Sequence, residues 1–271
     1  MRKILNKLIY SVLAFTVLTS CTKIIEVDLN SAAPQLVIEG EVTDRAEPYV
    51  VKVSRTGDYM GNEVPPKVSG AVVTISDGNR TYTLQENTEQ PGTYQTSAFV
   101  GTPGTTYMLK VIVGETTYSA QSTMPNELLD FKVEQTAYFE GDASKGAGYY
   151  LQMYATDPQD EVNFYQWRFT INDTIRDKPE DLAVADDAWI QENIEGFQAP
   201  YALKPNDKVS FSMLAIPKAT YEYYRALDEL LFNDGGMFSP PPANPTSNIS
   251  GALGIFSAVS VKTKHLVIVE K

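Results

Sequence analysis

Tyr107-Met108-Leu109-Lys110-Val111-Ile112-Val113-Gly114-Glu115-Thr116-Thr117-Tyr118-Ser119-Ala120 reads as two β-rich runs folded about a tight Gly-Glu turn. The same grammar runs upstream. Ala71-Val72-Val73-Thr74-Ile75 meets the turn signal Ser76-Asp77-Gly78-Asn79 and resumes as Thr81-Tyr82-Thr83-Leu84. In Tyr49-Val50-Val51-Lys52-Val53-Ser54-Arg55, the residues Tyr49, Val51 and Val53 share one face, and Pro91-Gly92 introduces Thr93-Tyr94-Gln95. With the run opening at Leu36 and Ile38, these strands and turns predict an immunoglobulin-like β-sandwich over residues 34–124. The chain has one cysteine, so the cysteine pair of antibody domains is absent and the likeness is one of architecture.

Met124-Pro125-Asn126 marks a boundary, because a proline ends the last strand and polar residues follow. Residues 127–271 read as a second β-rich, sandwich-like domain, with strands over Phe131 to Ala137, Tyr149 to Ala155, Phe164 to Ile171 and Val209 to Ile216. Leu253 to Val259 and His265 to Val269 read as two closing strands, and the acidic stretch Asn172 to Pro205 as irregular. One helix is predicted at about 218–233. Its apolar residues Tyr223, Ala226, Leu227, Leu230 and Leu231 recur at helical spacing and define the face expected to be buried. The fold class is therefore mainly β, with a single amphipathic helix.

The N-terminus carries a different message. Arg2, Lys3 and Lys7 precede the apolar run Leu8 to Leu18, which is too short to span a bilayer and reads as the core of a signal peptide over 1–20. Leu18-Thr19-Ser20-Cys21 has the form of a lipobox, so Cys21 is the expected lipidation site and 21–33 a lipidated tether. Without residues 1–20 the chain keeps 19 basic and 34 acidic residues, a charge of −15. Such a chain repels nucleic acid and anionic headgroups, so membrane contact is expected through acyl chains on Cys21. With that thiol modified, disulfides, thiolate metal sites and cysteine nucleophiles are excluded.

Glu26-Val27-Asp28, Leu36-Val37-Ile38-Glu39-Gly40, Ser54-Arg55-Thr56-Gly57-Asp58-Tyr59 and Val68-Ser69-Gly70-Ala71-Val72-Val73 follow Cys21 in order. Gly92-Thr93-Tyr94-Gln95-Thr96 and Ser247-Asn248-Ile249, with Gly251-Ala252-Leu253-Gly254-Ile255-Phe256-Ser257-Ala258, complete the series. Together they resemble a Bacteroidota outer-membrane lipoprotein family known as domain of unknown function 4249. The resemblance implies a lipid-anchored outer-membrane accessory or binding protein. Its expected partner is an outer-membrane TonB-dependent transporter in nutrient uptake. It supplies no catalytic residue. Surface-exported lipoproteins of that phylum carry acidic residues directly after the cysteine; here Thr22-Lys23-Ile24-Ile25 intervenes, and the side of the membrane stays open.

His265 is the only histidine, and no nucleophile-elbow motif accompanies it. One histidine and no free thiol exclude zinc and copper sites of ordinary composition. No cofactor is expected. Calcium is the one ion for which the acidic loops supply suitable oxygen ligands, with Asp157, Asp160 and Glu161 the candidates. Trp189, in the acidic segment, and the nearby Phe197 and Tyr201 are the candidates for ligand contact. The Pro-rich stretch offers a stiff loop for a partner, with Phe238, Pro240, Pro241, Pro242, Asn248 and Ile249 as docking candidates. The expected function is a non-catalytic binding protein. The alternative is a carboxylate-based, calcium-dependent surface hydrolase.

Overall fold

A computed structural model describes residues 33–57, 64–126, 130–156, 162–187, 193–233 and 243–271. Strands β1 (Leu36–Thr43), β2 (Val50–Arg55), β3 (Val72–Ser76), β4 (Thr81–Thr83), β5 (Gln85–Glu86), β6 (Thr93–Gln95), β7 (Thr106–Val113) and β8 (Thr116–Thr123) make up the first half. The second half holds β9 (Phe131–Gln135), β10 (Leu151–Thr156), β11 (Phe164–Ile171), β12 (Thr174–Arg176), β13 (Ala183–Asp186), β14 (Asn193–Gln198) and β15 (Lys208–Ala215). Helix α1 (Lys218–Leu231) and β16 (Leu253–Val267) end the series. The described residues are mainly β with one α-helix, as the sequence predicts.

Two cores are built on one continuous nine-stranded sheet, ordered β12-β11-β15-β16-β1-β2-β6-β5 with β13 also on β11. Over the first part of that sheet packs the four-stranded sheet β4-β3-β7-β8, and over the second the three-stranded sheet β14-β10-β9. The alternation read in the sequence fills the first core: Ile38, Val51 and Val53 from one layer meet Val73, Ile75, Leu109 and Val111 from the other, all essentially inaccessible. Aromatic residues fill the second, where Phe131, Met153 and Ile194 face Trp167, Phe169 and Phe211. Phe169 and Phe211 stack at 4.6 Å.

The sandwich expected over 34–124 is present, but it is not self-contained. Leu253–Val259 lie parallel to β1, in register from Val37↔Leu253 to Thr43↔Val259, and Phe256, Ala258 and Ile249 belong to the first core. The two closing strands expected from the sequence are one strand of fifteen residues. Its first half pairs with β1 and its second, Ser260–Val267, with β15. Parallel strands need a long connection, and here nearly the whole chain is that connection. Pro34–Lys271 accordingly forms one compact unit.

Two further expectations need correction. The stretch 172–205 is not wholly irregular: β12 and β13 pair with β11, and β14 with β10. Strands of three to six residues carry little periodic pattern of their own, and partner strands place them. Helix α1 starts at Lys218 after Pro217, as expected, but it buries Thr220 and Tyr221. Leu227 and Leu230 are half-buried, and Leu231 is 46% exposed. The reason lies in what receives the helix. Tyr221 packs with Leu214, Ile216 and Val259 on the outer face of the large sheet, and Thr220 Oγ1 bonds Ser257 Oγ at 2.8 Å. The first helical turn is therefore anchored at the junction of the two cores.

Candidate functional site

At one end of the second sandwich the strand ends leave an open cleft of about 840 Å³. Cross-strand register explains its two sides. Phe131, Ala155 and Ile194 are mutual partners across β9, β10 and β14, and two of the three are buried, so this row meets the second core. Lys132, Tyr154 and Glu195 form the next row, on the opposite face. β16 supplies Lys264, His265 and Leu266. Lys264 is in register with buried Phe211 and so points into the space between the sheets.

Asp130, Lys132, Lys264 and His265 each have a side-chain partner here. Lys264 Nζ lies 2.7 Å from Asp130 Oδ1 and 5.7 Å from the Phe131 ring centroid. Lys132 pairs with Glu134 along its own strand. His265 Nδ1 shares a 2.8 Å hydrogen bond with Ser210 Oγ, its partner across the β15–β16 ladder. The hydrogen bond from Lys264, helped by the Phe131 backbone amide, holds the Asp130 carboxyl below the usual carboxylate range. A general acid needs the opposite shift. Among the described residues, no three His, Cys, Asp or Glu side chains stand close enough together to hold a metal ion.

The residues singled out from the sequence scatter. Cys21, Asp157, Asp160, Glu161, Trp189, Phe238, Pro240, Pro241 and Pro242 lie outside the described residues. Thr156 and Asn193, which flank 157–161 and 188–192 along the chain, both line the cleft. Phe197 and Tyr201 are half-buried structural groups of the second core. Phe197 stacks on Trp167 at 4.6 Å; Tyr201 meets Phe169 edge-on and donates a 2.7 Å hydrogen bond to Asp181. Burial, with that carboxylate beside it, pushes the Tyr201 hydroxyl well above its ordinary pKa. Asn248 and Ile249 are not a docking surface. Ile249 is buried in the first core, and the Asn248 amide donates to Phe256 O (2.7 Å) and accepts from Phe256 N (3.0 Å). Here the chain has already entered the first core.

Sequence reasoning missed Arg168 and Glu41. Arg168 on β11 reaches over β15 and β16 to Glu41 on β1, in a two-pronged ion pair of 2.7 and 2.6 Å, with Gln166 Oε1 also accepting from its guanidinium. Burial opposes the charge on Arg168, but Glu41 outweighs it and raises the pKa. On α1, burial and Glu41 push the Tyr224 hydroxyl up to about 12. An arginine in one strand and a glutamate 127 residues earlier give no sequence signal of such a pair.

Fold and site thus define a class: a mainly β scaffold with two cores on a shared sheet and a cleft lined by charged and polar side chains. The chain belongs to the family described as domain of unknown function (DUF4249), which matches residues 22–265. No curated protein matches the chain.

Proposed function

We propose that this protein is a lipid-anchored accessory protein of the outer membrane, a non-catalytic partner of a TonB-dependent transporter that takes part in nutrient uptake. The observation that carries the non-catalytic reading is that Asp130, Lys132 and Lys264 of the cleft are held in ion pairs. Asp130 is committed to Lys264 and held ionised, Lys132 is committed to Glu134, and His265 has a serine partner rather than a carboxylate that would orient it as a base. Such a cleft suits reversible contact with polar groups. The anchor reading rests on the lipobox ending at Cys21, and the family match beginning at the next residue supports it. Among the described residues no helix is long and apolar enough to cross a membrane.

The test takes two measurements. Cys21→Ser removes the only thiol able to accept a diacylglyceryl group, so the variant should leave the outer-membrane fraction and appear soluble or unprocessed. Retention at the wild-type level would overturn the anchor. Affinity isolation of the lipidated chain from its own detergent-solubilised outer membrane should then bring down a TonB-dependent transporter in stoichiometric amount. Turnover of a polysaccharide or peptide by the purified chain, abolished by Asp130→Asn or Glu195→Gln, would replace the partner reading with the hydrolase.

A further inference from the structure

We infer that β1 is a shear clamp, built to carry tension arriving at the N-terminus into both cores. This inference rests on the lipid-anchor reading, since an anchor at Cys21 would deliver any load on the body to the start of β1.

The register carries the inference. β1 lies inside the nine-stranded sheet, bonded on one side to β16 through seven register pairs, Val37↔Leu253 to Thr43↔Val259, and on the other to β2 through five, Leu36↔Arg55 to Gly40↔Val51. β1 and β16 are parallel. A pull on β1 acts toward its N-terminus, whereas β16 continues in the other direction into the second core, where eight register pairs hold it to β15. The two strands are thus urged in opposite directions along their common axis. Ladder hydrogen bonds run across the strands, so such a load falls on all of them together. A pull across the strands would open them one pair at a time.

Two side-chain fastenings strengthen the same joint. Where β1 ends, Asp44 Oδ1 accepts from Val261 N at 3.0 Å and Arg45 Nη2 donates to Val261 O at 2.7 Å, pinning the chain to β16 as it leaves the ladder. In mid-strand, the Glu41–Arg168 pair ties β1 to β11, three strands away. A force that slides β1 must therefore also break a two-pronged, charge-assisted contact. Load is spread over the sheet and is not left on one neighbour.

The test is single-molecule pulling on the full, unlipidated chain. Cys21 is the only cysteine, so a handle can be placed there and a second at the C-terminus. A control chain carries Thr56→Cys, which places the second handle beside the start of β1, where pulling unzips the β1–β2 ladder. Forced unfolding is governed by the unfolding rate, so the terminal geometry should rupture at about twice the force of the control or more. Glu41→Gln should lower the first force and leave the second unchanged. Equal forces in the two geometries would overturn the clamp, as would a first rupture that frees the second core while β1 stays in place. Neither result bears on acylation, which the fractionation of Cys21→Ser decides separately.

Discussion

Gly254 lies hard against the backbone of β1. It sits opposite Ile38 in the parallel ladder at φ +103°, and a Cβ there would lie 2.0 Å from the Ile38 carbonyl oxygen. Only glycine allows that backbone conformation and that contact together. Gly254→Ala should therefore destabilise the protein by more than about 3 kcal/mol, combining strain with a parted ladder. Urea unfolding measures it, and an unchanged midpoint would show that the ladder tolerates the side chain. Asp77 makes the turn between β3 and β4 sensitive to pH. Its Oδ1 accepts from Arg80 N (2.6 Å) and Asn79 N (2.8 Å), and the Arg80 amide leads in holding its pKa below 3.8. A depressed carboxylate contributes stability above its unfolded pKa and loses it as pH falls through the folded value. The turn should hold at neutral pH and loosen only below pH 3.8, and amide exchange at Asn79 and Arg80 should show this. Asp77→Asn should remove the pH dependence. The turn itself was legible in Ser76-Asp77-Gly78-Asn79. Gly254 was visible within a motif, but its role depends on a strand more than 200 residues away.

At the scale of elements, α1 shows how far periodicity reaches. The spacing of Tyr223, Leu227, Leu230 and Leu231 predicted a helix, and there is one. Which face it buries was decided by the sheet beneath. Tyr221 is 7% exposed and packs on Ile216 and Val259, whereas Leu227 stays half-buried. Tyr221→Ala should cost about 3 kcal/mol and Leu227→Ala about 1 kcal/mol, since a cavity opens only where neighbours already surround the side chain. Chemical denaturation of the two variants would reverse that ranking if the face read from the sequence were the buried one. Strands divide in the same way. Those rich in Val, Ile and Tyr, such as β2, β3 and β7, were readable because alternation is a local property. β12, β13 and β14 were not, because Thr-Ile-Arg, Ala-Val-Ala-Asp and Asn-Ile-Glu-Gly-Phe-Gln become strands only beside β11 and β10.

At the scale of the whole molecule, β16 binds the ends of the chain together. A fragment of residues 1–242 retains β1 to β15 but lacks the strand that completes the first core and borders the second. It should lack cooperative unfolding and dispersed amide resonances, and a peptide of residues 243–271 added in trans should restore both. A folded, cooperative 1–242 fragment would show that the first sandwich closes without Leu253–Val259. The sequence by itself determined the β class, the turns and the existence of the helix, because each is written in neighbouring residues. The boundary read at Met124-Pro125-Asn126 does not divide the chain into separate units, since one nine-stranded sheet runs through Pro34–Lys271. Only the tertiary structure decided that β16 serves both cores, that Arg168 reaches Glu41, that Ile249 is buried, and that Asp130, Lys264 and His265 border one cleft. Those contacts join residues far apart in the chain, and periodicity within a window carries no term for a partner outside it.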